Sequence, residues 1–162
     1  MKRVVITGQG AISSLGMSAT ATMEGMREGR LGISDLVMRD VDRLSVKIGG
    51  QVHGYDGAEY FSRQELVLYD KFTQFALLSA KEAMAQSGLE ITERVSLRSG
   101  VILGTAGGGL QTQDENYRNV YEAGKNRVHP FVVPRLMNNA AASHVSMTYK
   151  LQGPSYTVAT AC

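Results

Sequence analysis

Cys162 is the single cysteine of this 162-residue chain, and it closes the stretch 153–162, GPSYTVATAC. A thiolate is a strong nucleophile, and a helix N-terminus or a cationic neighbour pulls the thiol pKa down from its free value of about 8.5. By its own residue type, a lone cysteine is more often a small buried hydrophobe than a reagent. It cannot form an internal disulfide, which fits a reducing compartment, so the expected location is cytoplasmic. His53, His129 and His144 are the other side chains suited to proton transfer or metal binding. Their wide spacing joins no cysteine or carboxylate into a ligand set, so each reads as a surface or structural histidine. The carboxylates are scattered through helices and turns, with no pair placed for acid–base work.

Two glycine-rich stretches invite a phosphate-binding reading, and both fail on spacing. Gly8 and Gly10 follow a β-branched run, but Ser13 stands where the dinucleotide fingerprint requires its third glycine, and the next glycine is Gly16. A strand-to-loop turn accounts for them. In the second stretch, GTAGGG over 104–109, no lysine follows the glycines, so a phosphate loop of the nucleotide-hydrolase type is excluded. Pocket lining or a plain turn remain.

The elements that must position these residues can be read from periodicity and punctuation. Val4–Thr7 has the composition of a strand buried on both faces, as do 100–105 and the run-up to Cys162 over 155–160. Ser18 caps a predicted helix that stops near Glu28 and Gly29. Residues 33–61 form a loop-rich excursion with one strand at Val46–Ile48. Ser62 and Glu65 have capping-box spacing ahead of a short helix. The strongest helical signal covers 71–87, where Phe72, Phe75, Ala76, Ser79, Ala80 and Ala83 recur on a small-residue face that admits close approach by another element. A polar helix is predicted over 111–123. The prolines at 130 and 134 imply a short extended segment, and another small-residue helix follows over 136–149. The order of strands and helices argues for one α/β domain with a mostly parallel sheet covered by helices.

Composition agrees with a globular domain, 43% hydrophobic and 20% charged. The net charge of +2, with no basic run, gives no nucleic-acid footprint. No apolar run reaches the roughly 18 residues of a membrane span, and the N-terminus lacks a signal-peptide pattern, so neither nucleic acid nor membrane is an expected partner.

Five motifs in succession add a resemblance. VVITGQGAISSLG at 4–16, GTAGGG at 104–109, HPFVVP at 129–134, NNAAAS at 138–143 and GPSYTVATAC at 153–162 resemble, in the same order, the β-ketoacyl-acyl carrier protein synthases. The similarity runs along the whole chain, and the last motif is the most specific. It implies a thiolase-like layered αβαβα fold, of which residues 1–162 would be the N-terminal half, incomplete and inactive without its C-terminal half. It implies a decarboxylative Claisen condensation in fatty-acid or related polyketide elongation: Cys162 takes an acyl group from acyl carrier protein, and malonyl-acyl carrier protein then attacks that thioester. The backbone N–H of Cys162 would also serve as one oxyanion donor. The family's two catalytic histidines, its lysine and its second oxyanion donor have no position in this sequence.

The same resemblance places Gly107 on the acyl tunnel and Val132 on the segment that crosses a homodimer interface. Glycine and valine at positions that are bulkier or aromatic in many relatives imply a wider tunnel. No cofactor is implied beyond the phosphopantetheine carried by the substrates. The alternative is a non-catalytic chain-length or partner subunit of the same fold. The presence of Cys162 speaks against it, because such subunits characteristically lose the nucleophile.

Overall fold

Residues 3–160 are described by a computed structural model, and Cys162 therefore lies outside the described residues. The chain divides into two compact units, Met1–Tyr55 with Leu78–Gly88, and Asp56–Leu77 with Leu89–Cys162. The long helix α3, Lys71–Ser87, contributes to both.

In the first unit, α1 (Ala19–Arg27) begins where the sequence places it. The Ser18 hydroxyl accepts from the Ala21 N–H, and Gly29 takes a left-handed φ of +68° just past the helix end. A two-residue antiparallel pair, β1 (Ser34–Asp35) with β2 (Ile48–Gly49), replaces the longer strand expected at Val46–Ile48. Leu36 N–H donates to Lys47 C=O at 2.8 Å just beyond this pair. The predicted strand at Val4–Thr7 does not form among the described residues: Val4 is 94% and Ile6 90% exposed. A β-branched run becomes a strand only beside a hydrogen-bonding neighbour, and this unit supplies none for it. The chain after it is instead held by side chains of α3. Gln9 N–H donates to Gln86 Oε1 at 2.6 Å, and the Ala11 and Ala19 N–H groups donate to the Glu82 carboxylate at 3.0 Å.

That docking explains Gly8 and Gly10. A Cβ on either would collide with a backbone carbonyl of α3, that of Ala83 for Gly8 and that of Ser79 for Gly10. The close approach expected of the small α3 face is therefore made by the glycine turn.

In the second unit, α2 (Arg63–Leu68) carries the full capping box, with Ser62 Oγ accepting from Glu65 N–H and Glu65 Oε2 accepting from Ser62 N–H at 2.8 Å. The Ser62 backbone N–H, helped by its hydroxyl, holds the Glu65 carboxyl below its ordinary pKa. Then come α4 (Glu93–Arg98), β3 (Val101–Gly104), α5 (Leu110–Tyr117) continuing into a π-turn over Arg118–Glu122, α6 (Val132–Leu136), α7 (Ala140–Thr148) and β4 (Ser155–Val158). Here the sequence reading needs two corrections. The segment expected to be extended between the prolines is the short helix α6, because Pro134 falls in its first turn, where the missing N–H costs nothing. The following helix accordingly starts at Ala140 rather than 136.

β3 and β4 pair in parallel, Val101 opposite Ser155 and Gly104 opposite Val158. Ala140, Ala141, Ala142 and Val145 of α7 are buried, and α7 packs on both strands. Small side chains let this helix lie close to the sheet. The strands expected to be buried on both faces are covered on one. Ile102 is 78% and Tyr156 60% exposed on the other face, since among the described residues α7 covers the pair from one side. Among the described residues no helix is long and apolar enough to cross a membrane.

Two measurements check this account. In urea unfolding, Gly8→Ala is expected to cost about 3 kcal/mol or more, through overpacking against the α3 backbone. Gly29→Ala, where nothing lies within 4 Å of the added Cβ and only the left-handed φ resists, is expected to cost about 1 kcal/mol. Equal costs would disprove the close docking. The second concerns His144, whose ring meets the edge of Tyr69 at a centroid distance of 4.6 Å and whose pKa burial lowers from its ordinary 6.5. Between that lowered value and 6.5 the unfolded chain binds more protons than the folded one, so His144 makes stability fall as pH drops through this window. His144→Phe is expected to flatten that part of the stability–pH curve, and an unchanged slope would disprove the assignment.

Candidate functional site at the carboxyl ends of the parallel strands

β4 points the chain toward Cys162, and its placement is fixed at both ends. At the start, Gly153 N–H donates to Ser99 C=O at 2.8 Å and Val101 N–H to Pro154 C=O at 3.0 Å, while Ser96 Oγ donates to Lys150 C=O. At the finish, Thr105 N–H donates to Val158 C=O at 3.0 Å, carrying the ladder one residue past β3. Both strands thus release their chains at the same end, the end at which α/β sheets bind ligands. An open cavity of about 320 Å³ lies there, lined by Gly104, Thr105, Ala106, Val158 and Thr160. None of these lining residues is charged.

The glycine turn that follows β3 is a packed junction. Gly108 has φ +62°, and its N–H donates to Thr105 Oγ1 at 3.2 Å. Gly109 is buried, and its N–H donates to Leu136 C=O at 3.1 Å. With these amides engaged by protein oxygens, the turn does not present them to an anion, and the phosphate reading fails on geometry as it failed on spacing. A Cβ on Gly109 would lie 2.6 Å from Arg135 C=O and 3.1 Å from Asp70 Oδ2, so only glycine fits.

Gly107 stands half-buried at the head of this turn, and a Cβ there would meet the side chain of Leu110 at 3.1 Å. Val132 opens α6, whose last residues, Arg135 and Leu136, are the ones that pack on Gly109. The segments of two of the expected site residues therefore meet through the Gly109 to Leu136 hydrogen bond, while Cys162 falls outside the described residues.

Sequence reasoning missed Asp70 and Thr112. Asp70 is 3% exposed. Its Oδ2 accepts from Thr112 N–H at 2.8 Å and from Thr112 Oγ1–H at 2.6 Å, and its Oδ1 accepts from Phe72 N–H at 3.3 Å. One carboxylate thus serves the N-termini of both α3 and α5, where the helix dipoles favour negative charge. The signal was an aspartate directly before the strongest helix, which is a capping position; its second partner, 42 residues away, left no local trace.

The three histidines are accounted for locally. His53 Nε2 is 2.9 Å from Ser34 Oγ, His129 Nδ1 accepts from Phe131 N–H at 3.2 Å, and His144 packs on Tyr69. Among the described residues, no group of three or more His, Cys, Asp or Glu side chains could hold a metal ion.

Comparison with known proteins places this architecture. The N-terminal domain of the beta-ketoacyl synthases matches residues 1–162. A 3-oxoacyl-[acyl-carrier-protein] synthase 2 of Staphylococcus aureus (strain COL) is 34% identical over 161 residues, covering 99% of this chain and 39% of that protein. Nodulation protein E of Rhizobium sp. (strain N33) is 38% identical over 161 residues, covering 99% of this chain and 40% of that protein. The ishigamide ketosynthase/chain length factor superposes with a TM-score of 0.83 at 23% identity, over 99% of this chain and 40% of that one. The chain spans about two fifths of the length of these relatives, and its fold is the thiolase-like fold of the ketosynthases. Matched from its first residue to its last, the chain belongs to the beta-ketoacyl synthase family and carries that family's N-terminal domain.

Proposed function

We propose that the whole protein is a β-ketoacyl-acyl carrier protein synthase that elongates an acyl chain held on Cys162. The observation that carries this reading is the parallel pair β3–β4, whose carboxyl ends open on the cavity lined by Gly104, Thr105, Ala106, Val158 and Thr160, within a match to the family over all 162 residues. The Cys162 thiolate attacks the carbonyl of an acyl thioester on acyl carrier protein, and the phosphopantetheine thiol leaves. Malonyl-acyl carrier protein then loses CO₂, its carbanion attacks the Cys162 thioester, and the Cys162 thiolate is expelled. Splitting the condensation in this way uses the sulfur first as nucleophile and then as leaving group. The backbone N–H of Cys162 donates to the oxyanion in each step. No cofactor of the protein's own takes part. Acyl carrier protein is the partner, as the name of the S. aureus relative has it for that protein. The working compartment on this reading is the cytoplasm.

β4 pairs only with β3 among the described residues, so its outer edge has hydrogen-bonding groups to offer. On this reading that edge pairs with its own copy in a homodimer, and Val132 reaches the partner's acyl site. The likeness to a ketosynthase/chain length factor keeps a second reading in view, a partner subunit that shapes chain length without condensing. Cys162 favours the first.

Incubation of the complete protein with acyl-loaded carrier protein is expected to place the acyl mass on Cys162. Cys162→Ala should remove the adduct and lower condensation by about a thousandfold or more. A wild-type protein that never acquires the adduct is instead the partner subunit. For selectivity, Gly107→Ile puts a branched side chain against Leu110 and narrows the proposed tunnel. It is expected to lower kcat/KM about tenfold for long acyl chains while sparing short ones. An unchanged length profile would remove Gly107 from the tunnel.

A further inference from the structure

We propose that Asp70 is a positioning residue that locks the Gly107–Gly109 turn and helix α6 into one unit and so sets which acyl lengths the site accepts. The selectivity clause rests on the condensing-enzyme reading above; the mechanical clause does not.

Gly109 stands at the N-cap of α5 and makes no side-chain cap hydrogen bond, since it has no side chain to cap with. It cannot gain one, because a Cβ there meets the Arg135 carbonyl at 2.6 Å. The missing acceptor comes from Asp70, whose Oδ2 takes the Thr112 N–H and hydroxyl. A carboxylate this deeply buried is stabilised only by donors held at fixed distances, and the Asp70 donors are all neutral: two backbone amides and one hydroxyl. The turn is therefore gripped from two sides. Asp70 Oδ2 lies 3.1 Å from the Cβ position of Gly109 on one side. On the other, Gly109 N–H bonds Leu136 C=O, and the Leu136 carbonyl and Asn138 Oδ1 wall in Gly108, each 2.6 Å from its Cβ position. Gly107 leads this turn, and Val132 lies one helical turn before Leu136. A shift at Asp70 must therefore move both segments, because packed backbone has no slack to absorb it.

The test uses the complete protein carrying Asp70→Asn, which replaces an accepting oxygen with a donor, or the milder Thr112→Val, which removes the hydroxyl and keeps the N–H. Amide hydrogen exchange is expected to rise about tenfold over 105–109 and over 132–136 together. The ratio of kcat/KM for the longest to the shortest acyl substrate is expected to shift by about threefold or more. A rise confined to 70–74 and 110–114, with an unchanged length profile, would overturn the proposal even if the melting temperature falls. Failure of the wild-type protein to acylate Cys162 refutes the enzyme reading and the selectivity clause with it; the exchange pattern then still decides whether Asp70 couples the two segments.

Discussion

A carboxylate removed from water must be repaid in hydrogen bonds, and the second unit of this protein is assembled around one such repayment. Asp70 accepts from Phe72 at the start of α3 and from Thr112 in the first turn of α5. Each contact does what an N-cap does, satisfying an amide that the helix leaves unbonded. Because both are made by a single buried group, two helix starts distant in sequence are fixed relative to each other. The glycine turn sits between them and the end of α6, where no side chain beyond hydrogen fits at Gly109. The bare backbone there is thus a consequence of how the helices meet.

Much of this was readable from local signals. The Ser18 and Ser62 caps, the 71–87 helix and the left-handed glycines that end helices depend on residues a few positions apart, so the sequence displays them directly. What could not be read depends on distant partners. Val4–Thr7 has strand residues and, among the described residues, forms no strand, because pairing belongs to a neighbour and not to the run itself. Ile102 and Tyr156 have the apolar character of a buried sheet, and their exposure is decided by what lies over them. Pro134 misled in another way: the rule that proline pushes its predecessor out of the helix gave way to proline's tolerance in a first helical turn. Within the site, Gly107 and Val132 came from likeness to a family, and the physical link between their segments emerged only with the Gly109 to Leu136 bond.

The two glycine-rich stretches show how one composition serves two packing problems. Gly8 and Gly10 lay a turn against the carbonyls of α3, and Gly108 and Gly109 lay another against the end of α6. Neither makes a nucleotide site, because in both cases the glycines are used up by contact with the protein's own backbone. Missing fingerprint residues and close packing are separate observations, and they exclude the phosphate reading independently.

The register of β3 with β4 carries a consequence for the order in which the chain assembles. Val101 and Ser155 are neighbours in the ladder yet more than fifty residues apart in sequence. Closing a loop of that length costs about 3.5 kcal/mol of chain entropy before any sheet bond compensates for it. Contacts of such long range form late, after α5, α6 and α7 have shortened the effective gap. The last of the described strands is then zipped in against helices that already stand, so its register is chosen by the scaffold and not by the strand itself.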